Sequence, residues 1–118
     1  MASQPPASNT QQPAAAVAQA PLPAAQTLLQ AAKLAIDQDK PIQLDYYVDT
    51  ALGKAFLGED EVTTEKMLVK SAEEYTSLVQ KVYKVATDFI VVTENSLYLV
   101  SGKLQKRKIQ ASNYLQGE

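Results

Sequence analysis

Hydrophobic residues change their spacing along this chain, and the changes divide it into three parts. Met1 to Leu22 shows no periodicity: Ala, Pro, Gln and Ser dominate, and the first charged side chain of the whole sequence is Lys33. Residues 23–40 follow a helical period. Leu28, Leu29, Ala32, Ala35 and Ile36 fall at i, i+1, i+4, i+7 and i+8, one apolar stripe, while Gln26, Gln30, Lys33 and Asp37 take the other side. Pro23 suits the first helical turn, where its missing N–H costs nothing, and Pro41 ends the helix by pushing Lys40 towards extended geometry.

From Ile42 the period becomes two. Ile42, Leu44, Tyr46 and Val48 alternate with Gln43, Asp45, Tyr47 and Asp49, which predicts a half-buried strand. Phe56-Leu57 and Met67-Leu68-Val69 predict short strands around the acidic turn "GEDEVTTE", and "SAEEY" has the capping-box spacing of a helical turn. Strands then follow at Leu78–Val85, Phe89–Thr93, Leu97–Ser101 and Leu104–Gln110, joined by "ATD", "ENS" and "GK". Connections this short imply antiparallel neighbours. The expected fold is therefore mainly β: a small antiparallel meander or barrel of SH3-like or PH-like class over residues 41–118, behind an amphipathic helix (23–40) and an extended arm (1–22).

Two consequences follow from that pattern. In "DFIVVTENSLYLVS" Phe89, Val91, Leu97 and Leu99 are expected on one face and Ile90, Val92, Tyr98 and Val100 on the other. Both faces are apolar, so the meander needs two covers, one from the curl of its own sheet and one from the helix or another protein. The helix follows an arm with nothing of its own to pack against, and the expectation is that its stripe docks on a partner.

The arm has little apolar area to offset the entropy of ordering, so it is expected to be disordered or polyproline-like in isolation. Extended at ~3.1 Å per residue, it reaches on the order of 70 Å. It carries no charge, unlike most solvated tails, and this favours an arm that lies along a neighbouring protein. Pro5, Pro6, Pro13 and Pro21, with Leu28, Leu29 and Ile36 of the helix, are its candidate partner-binding residues. "KLQKRK" adds Lys103, Lys106, Arg107 and Lys108, either as a docking patch for an acidic protein surface or as edge-strand protection.

Composition narrows the chemistry. The 118 residues include no Cys and no His, which removes disulfides, thiolate metal sites, the commonest general base and the commonest zinc ligand. Glu59, Asp60, Glu61 and Glu65 lack the EF-hand pattern, and Gly53 and Gly58 form no phosphate-cradling motif. Serines such as Ser71, Ser77, Ser96 and Ser101 sit where turns need them. No enzymatic activity, cofactor or metal is expected. A net charge of −2 argues against coating nucleic acid. The six tyrosines come without an RNA-binding RNP run. Apolar runs fall far short of the roughly 20 residues of a spanning helix, and the N-terminus does not read as a signal peptide.

The block Glu65–Ser101, through "LVKS", "EEYTS", "KVYKV" and "VVTENSLYLVS", resembles a segment of small structural proteins from large icosahedral double-stranded DNA viruses. That resemblance covers about a third of the chain and brings no functional residues with it. It implies a minor capsid protein that cements major capsid subunits within the virion. The alternative expectation is a cytoplasmic adaptor module that binds a peptide or protein through an exposed sheet edge.

Overall fold

The computed structural model describes residues 21–115. Pro5, Pro6 and Pro13, with nearly all of the arm, lie outside them. Helix α1 (Ala25–Gln38) is followed by β1 (Ile42–Gln43), α2 (Tyr47–Ala51), β2 (Phe56–Asp60), β3 (Lys66–Ser71) and β4 (Glu74–Tyr75). Then come β5 (Val79–Val85), β6 (Asp88–Thr93), β7 (Leu97–Ser101), β8 (Gln105–Ile109) and α3 (Ser112–Leu115). The strands form two four-stranded sheets, ordered β1-β7-β6-β5 and β4-β3-β2-β8.

The fold is mainly β, as expected, but it is not an antiparallel meander throughout. β5, β6 and β7 are antiparallel neighbours, joined by the predicted turns. After Ser101 the chain leaves that sheet and β8 pairs parallel with β2 in the other one. β1 likewise pairs parallel with β7. Gly102 marks the departure. A Cβ there would lie 1.9 Å from the carbonyl oxygen of Thr87, so the β7–β8 turn passes against the β5–β6 turn at a distance only glycine permits.

The strand expected over Ile42–Val48 stops at Gln43. Alternation would put Tyr46 and Tyr47 on opposite faces with one in water, yet both are buried. Tyr46 enters the space between the sheets, edge-on to Tyr98 at 5.4 Å, and Tyr47 joins the core under α1. A helical turn serves both rings. Thr50 holds it in place, donating back to the Tyr46 and Tyr47 carbonyls and accepting the Ser101 N–H at 3.0 Å. "SAEEY" also departs from its helical expectation: Glu74 and Tyr75 pair with β3 across an irregular register.

The register across "ENS" corrects the face assignment. Phe89 pairs with Val100, Ile90 with Leu99, Val91 with Tyr98 and Val92 with Leu97, so odd residues of β6 share a face with even residues of β7. Ile90, Val92, Leu97 and Leu99 meet Ala31 and Tyr47 beneath α1. Val91 and Val100 meet Leu57 and Leu68 of the second sheet, with Phe89 and Tyr98 alongside. Both covers of the hairpin come from the chain itself. A third cluster, Met67, Val69, Ile109 and Ala111, backs the second sheet and packs against Phe56, Tyr75, Leu78 and Tyr114.

Helix α1 packs on its own domain through a face that shares only Ala35 with the stripe read from periodicity. Thr27 and Ala31 are fully buried, and Leu34 and Ala35 pack on the same core. These lie at i, i+4, i+7 and i+8. Small side chains at Thr27 and Ala31 bring the helix close to the sheet, and the Thr27 hydroxyl is satisfied by Asp88 at 2.7 Å. The helix has no side-chain N-cap of its own. Asp88, at the start of β6, caps it from a distance, accepting the Ala24 N–H at 2.9 Å with a carboxylate placed at the positive end of the helix. The other Asp88 oxygen accepts the Tyr47 hydroxyl at 2.6 Å. At the far end Asp39 turns left-handed (φ 56°), and the Ala35 carbonyl accepts the Asp39 and Lys40 amides.

Asp88→Ala would remove the acceptor shared by three donors, of which the Thr27 and Tyr47 hydroxyls keep the Val85 and Leu22 carbonyls at 3.3 and 3.1 Å, and is expected to cost about 1–3 kcal/mol in urea unfolding. Amide protection should fall first over residues 24–28; a variant as stable as the parent would show that the cap is ornamental. For Gly102→Ala the new methyl meets backbone rather than a movable side chain, so a loss of about 1–3 kcal/mol is expected by the same measurement.

Candidate functional site

Among the described residues, two surfaces and a cleft between the sheets present groups that could engage another molecule. The first surface is the outward side of α1. With Thr27 and Ala31 turned inward, Leu28, Leu29 and Ile36 are left in water, Leu29 at 58% and Ile36 at 84% of full exposure. Leu22, just upstream, is 57% exposed. Pro21 is half-buried beside it and lines a shallow depression with Leu22, Leu52 and Lys103. Three of the residues read as partner-binding, Leu28, Leu29 and Ile36, thus remain available, while the sheet is covered by their small neighbours.

The second surface is the basic strand, and β8 does not gather its cations on one side. Lys106 sits beside Leu57 and Lys108 beside Glu59, so both face the space between the sheets. Arg107 points the other way and stacks over Phe56, 4.6 Å from the ring centre. Lys103 lies in the preceding turn. Lys108 is 3.2 Å from Glu59, which also has Lys66 at 3.8 Å. These lysines hold the Glu59 carboxyl below its ordinary range, Lys108 most of all through its hydrogen bond. The single basic patch suggested by "KLQKRK" is therefore divided by strand alternation.

The cleft lies between the sheets where β5 and β8 present their free edges. Its volume is about 470 Å³, and Leu57, Val79, Val82, Phe89 and Leu104 supply its apolar lining. Lys66, Lys81 and Lys106 stand around it with one carboxylate, Glu65. The sequence reading missed this cleft because its lining comes from five separated segments. Strand alternation held the signal: an outward-looking Lys106 on β8 becomes inward once β8 pairs in register with β2.

The acidic turn has a structural use. Asp60 Oδ2 accepts the Val62 and Thr63 amides at 2.9 and 2.8 Å, and Oδ1 accepts the Ala111 amide at 2.7 Å. Amide donors from Thr63, Ala111 and Val62 hold the Asp60 carboxyl at about 2. Its oxygens are aimed at amides, and among the described residues no group of His, Cys, Asp and Glu could hold a metal ion. Elsewhere Lys70 lies 3.5 to 3.9 Å from Glu74, Asp49 and Asp45 and 4.6 Å above the Tyr46 ring. Burial, and then the charge of Glu74, push the Tyr46 phenol above its ordinary range. The Tyr47 phenol is raised by burial and by its bond to Asp88.

No helix among the described residues is long and apolar enough to cross a membrane. No protein-family model matches the chain, and no curated protein or solved structure was found similar to it.

Because its folded pKa is depressed from 3.8, Asp60 contributes stability that is fully present above about pH 4 and lost as the pH falls through about 2. Asp60→Asn should therefore show a melting temperature that depends less on pH across that window than the parent's does. Parallel curves for the two proteins would contradict the assignment.

Proposed function

We propose that this protein is a non-enzymatic structural module that joins a larger protein assembly, as a minor capsid component bridging major capsid subunits through its arm and helix. The observation that carries the reading is the outward face of α1. Leu28, Leu29 and Ile36 stand in water on a helix that already packs by its other side, next to the segment that leads into the Ala/Pro/Gln arm. A helix whose apolar arc runs on from its packed side into water is suited to lying between two proteins. The resemblance over Glu65–Ser101 supplies the capsid context, and the chain's lack of His and Cys favours binding over catalysis. A second reading, an adaptor that takes a peptide along a sheet edge, is favoured by the seven-residue strand β5, which among the described residues pairs only with β6.

Paired replacement Leu29→Asp and Ile36→Asp tests the first reading. Both side chains are exposed, so unfolding free energy should move by no more than about 0.5 kcal/mol. Incorporation into purified virions, where the parent should be stoichiometric, should be lost. Normal incorporation of the double variant, or absence of the parent protein from virions, would exclude the capsid role through this face.

A further inference from the structure

We propose that the cleft between the sheets is a binding site for a single-chain amphipathic anion, a fatty-acid carboxylate, whose tail lies on the apolar lining and whose head is met by lysines at the rim. The inference is independent of the capsid and adaptor readings.

The cleft's volume, about 470 Å³, falls in the range of roughly 300–1,000 Å³ typical of small-molecule sites. Its lining is divided as an amphiphile requires. Leu57 is almost fully buried, and Val79, Phe89 and Leu104 pack against the inter-sheet core around it. Val82, on the free edge, is 37% exposed and overlooks the same space. Register explains why this side of the sandwich stays open. Val82 pairs with Val91 and Lys84 with Phe89, so the inner side of β5 reads Val82 then Lys84. The inner side of β8 carries Lys106 and Lys108. Val82 thus reaches the mouth of the cleft from β5, and ammonium groups stand on the inner side of both edge strands.

Charge selects the occupant. Three lysines and one glutamate line the cleft. Lys66 is partly engaged by Glu59 at 3.8 Å, whereas Lys106 makes no ion pair with any described carboxylate. Lys81, paired with Val92, turns its ammonium over the Tyr83 ring at 5.2 Å on the α1 side of the sheet, so the head is left to Lys106 and Lys66. Long lysine stems can lie along an apolar tail while their ammonium groups stay at the water boundary beside the head. A neutral apolar ligand would leave these charges unused, and a cationic one would be repelled.

Titration of the full chain with dodecanoate, kept below its micellar concentration, tests the proposal. Saturable 1:1 binding is expected by calorimetry, with amide shifts centred on Val82, Phe89 and Leu104. The Lys66→Gln/Lys106→Gln variant alters one partly exposed and one exposed side chain and should fold normally. It should bind about tenfold more weakly, the effect of two partly screened ion pairs. Dodecyltrimethylammonium, of equal chain length and opposite charge, should bind at least about as weakly as dodecanoate binds that variant. Equal affinity for the two amphiphiles, or an unchanged affinity in the variant, would overturn the proposal by showing unselective apolar adhesion. Failure of dodecanoate to bind while a glutamate-rich extended peptide shifts the same amides would overturn it in favour of strand addition at β5.

Discussion

A carboxylate taken out of water has to be met by donors, and the way Asp88 is met organises this molecule. Its side chain receives the Tyr47 hydroxyl, the Thr27 hydroxyl and the Ala24 amide, one donor from α2, one from α1 and one from the residue that opens α1. Asp88 pairs with Ser101 across the sheet, and Thr87, its neighbour, presses its carbonyl against Gly102. A single corner therefore sets where the helix begins, how it is rotated and where the chain passes from one sheet to the other. Charge-assisted bonds of this kind are strong because the alternative, a buried carboxylate short of donors, is so unfavourable.

Rotation is the consequence with functional weight. Anchoring Thr27 to Asp88 turns the Thr27–Ala31 side of α1 inward, and the larger apolar residues are carried outward. Had the helix rotated to bury Leu28 and Leu29, Thr27 would have left the carboxylate. Specific polar contacts compete with apolar area here because leaving a buried polar group unmatched costs about as much as burying a leucine gains. The resulting helix carries a wide apolar arc, packed on the core at Leu34 and Ala35 and exposed at Leu28 and Leu29, with Gln26, Gln30, Lys33 and Asp37 on the remaining side. That asymmetry is the structural basis of the assembly reading.

Local patterns in the sequence were legible and long-range ones were not. The β5–β6–β7 meander could be read from alternation and from "ATD" and "ENS", and its need for two covers from the apolar residues on both faces of β6 and β7. The pairing of faces was misread because odd and even labels were carried across the hairpin, whereas Phe89–Val100 register joins odd to even. Nothing in "GK" announces that β8 will join β2, since that depends on Gly102 meeting Thr87, fifteen residues earlier. The stripe on α1 was legible as apolar but not as outward, because Thr27 reads as polar until its partner at Asp88 is known. Among the site residues, Leu28, Leu29 and Ile36 emerged as an exposed group, while the four cations of "KLQKRK" proved to belong to different faces.

The open cleft has its cause in those divided cations. A sheet of this size can close on itself if the inner positions of its edge strands are apolar. On β8 the apolar Ile109 points outward with Gln105 and Arg107, towards the backing cluster, and the inner positions are Lys106 and Lys108. On β5 the inner positions end in Lys84. Bringing the two edges together would desolvate three ammonium groups with Glu59 as the nearest acceptor, and inward-pointing charge of this kind is a known guard against edge pairing. Guarding alone, however, does not require an apolar lining behind the charges. Leu57, Val79, Phe89 and Leu104 continue the inter-sheet core into the cleft that the lysines border. An edge that needed only protection could have been filled with smaller or more polar groups at those positions. The combination of an unclosed seam, an apolar lining and lysines left without carboxylates is better explained by an occupant than by avoidance of one.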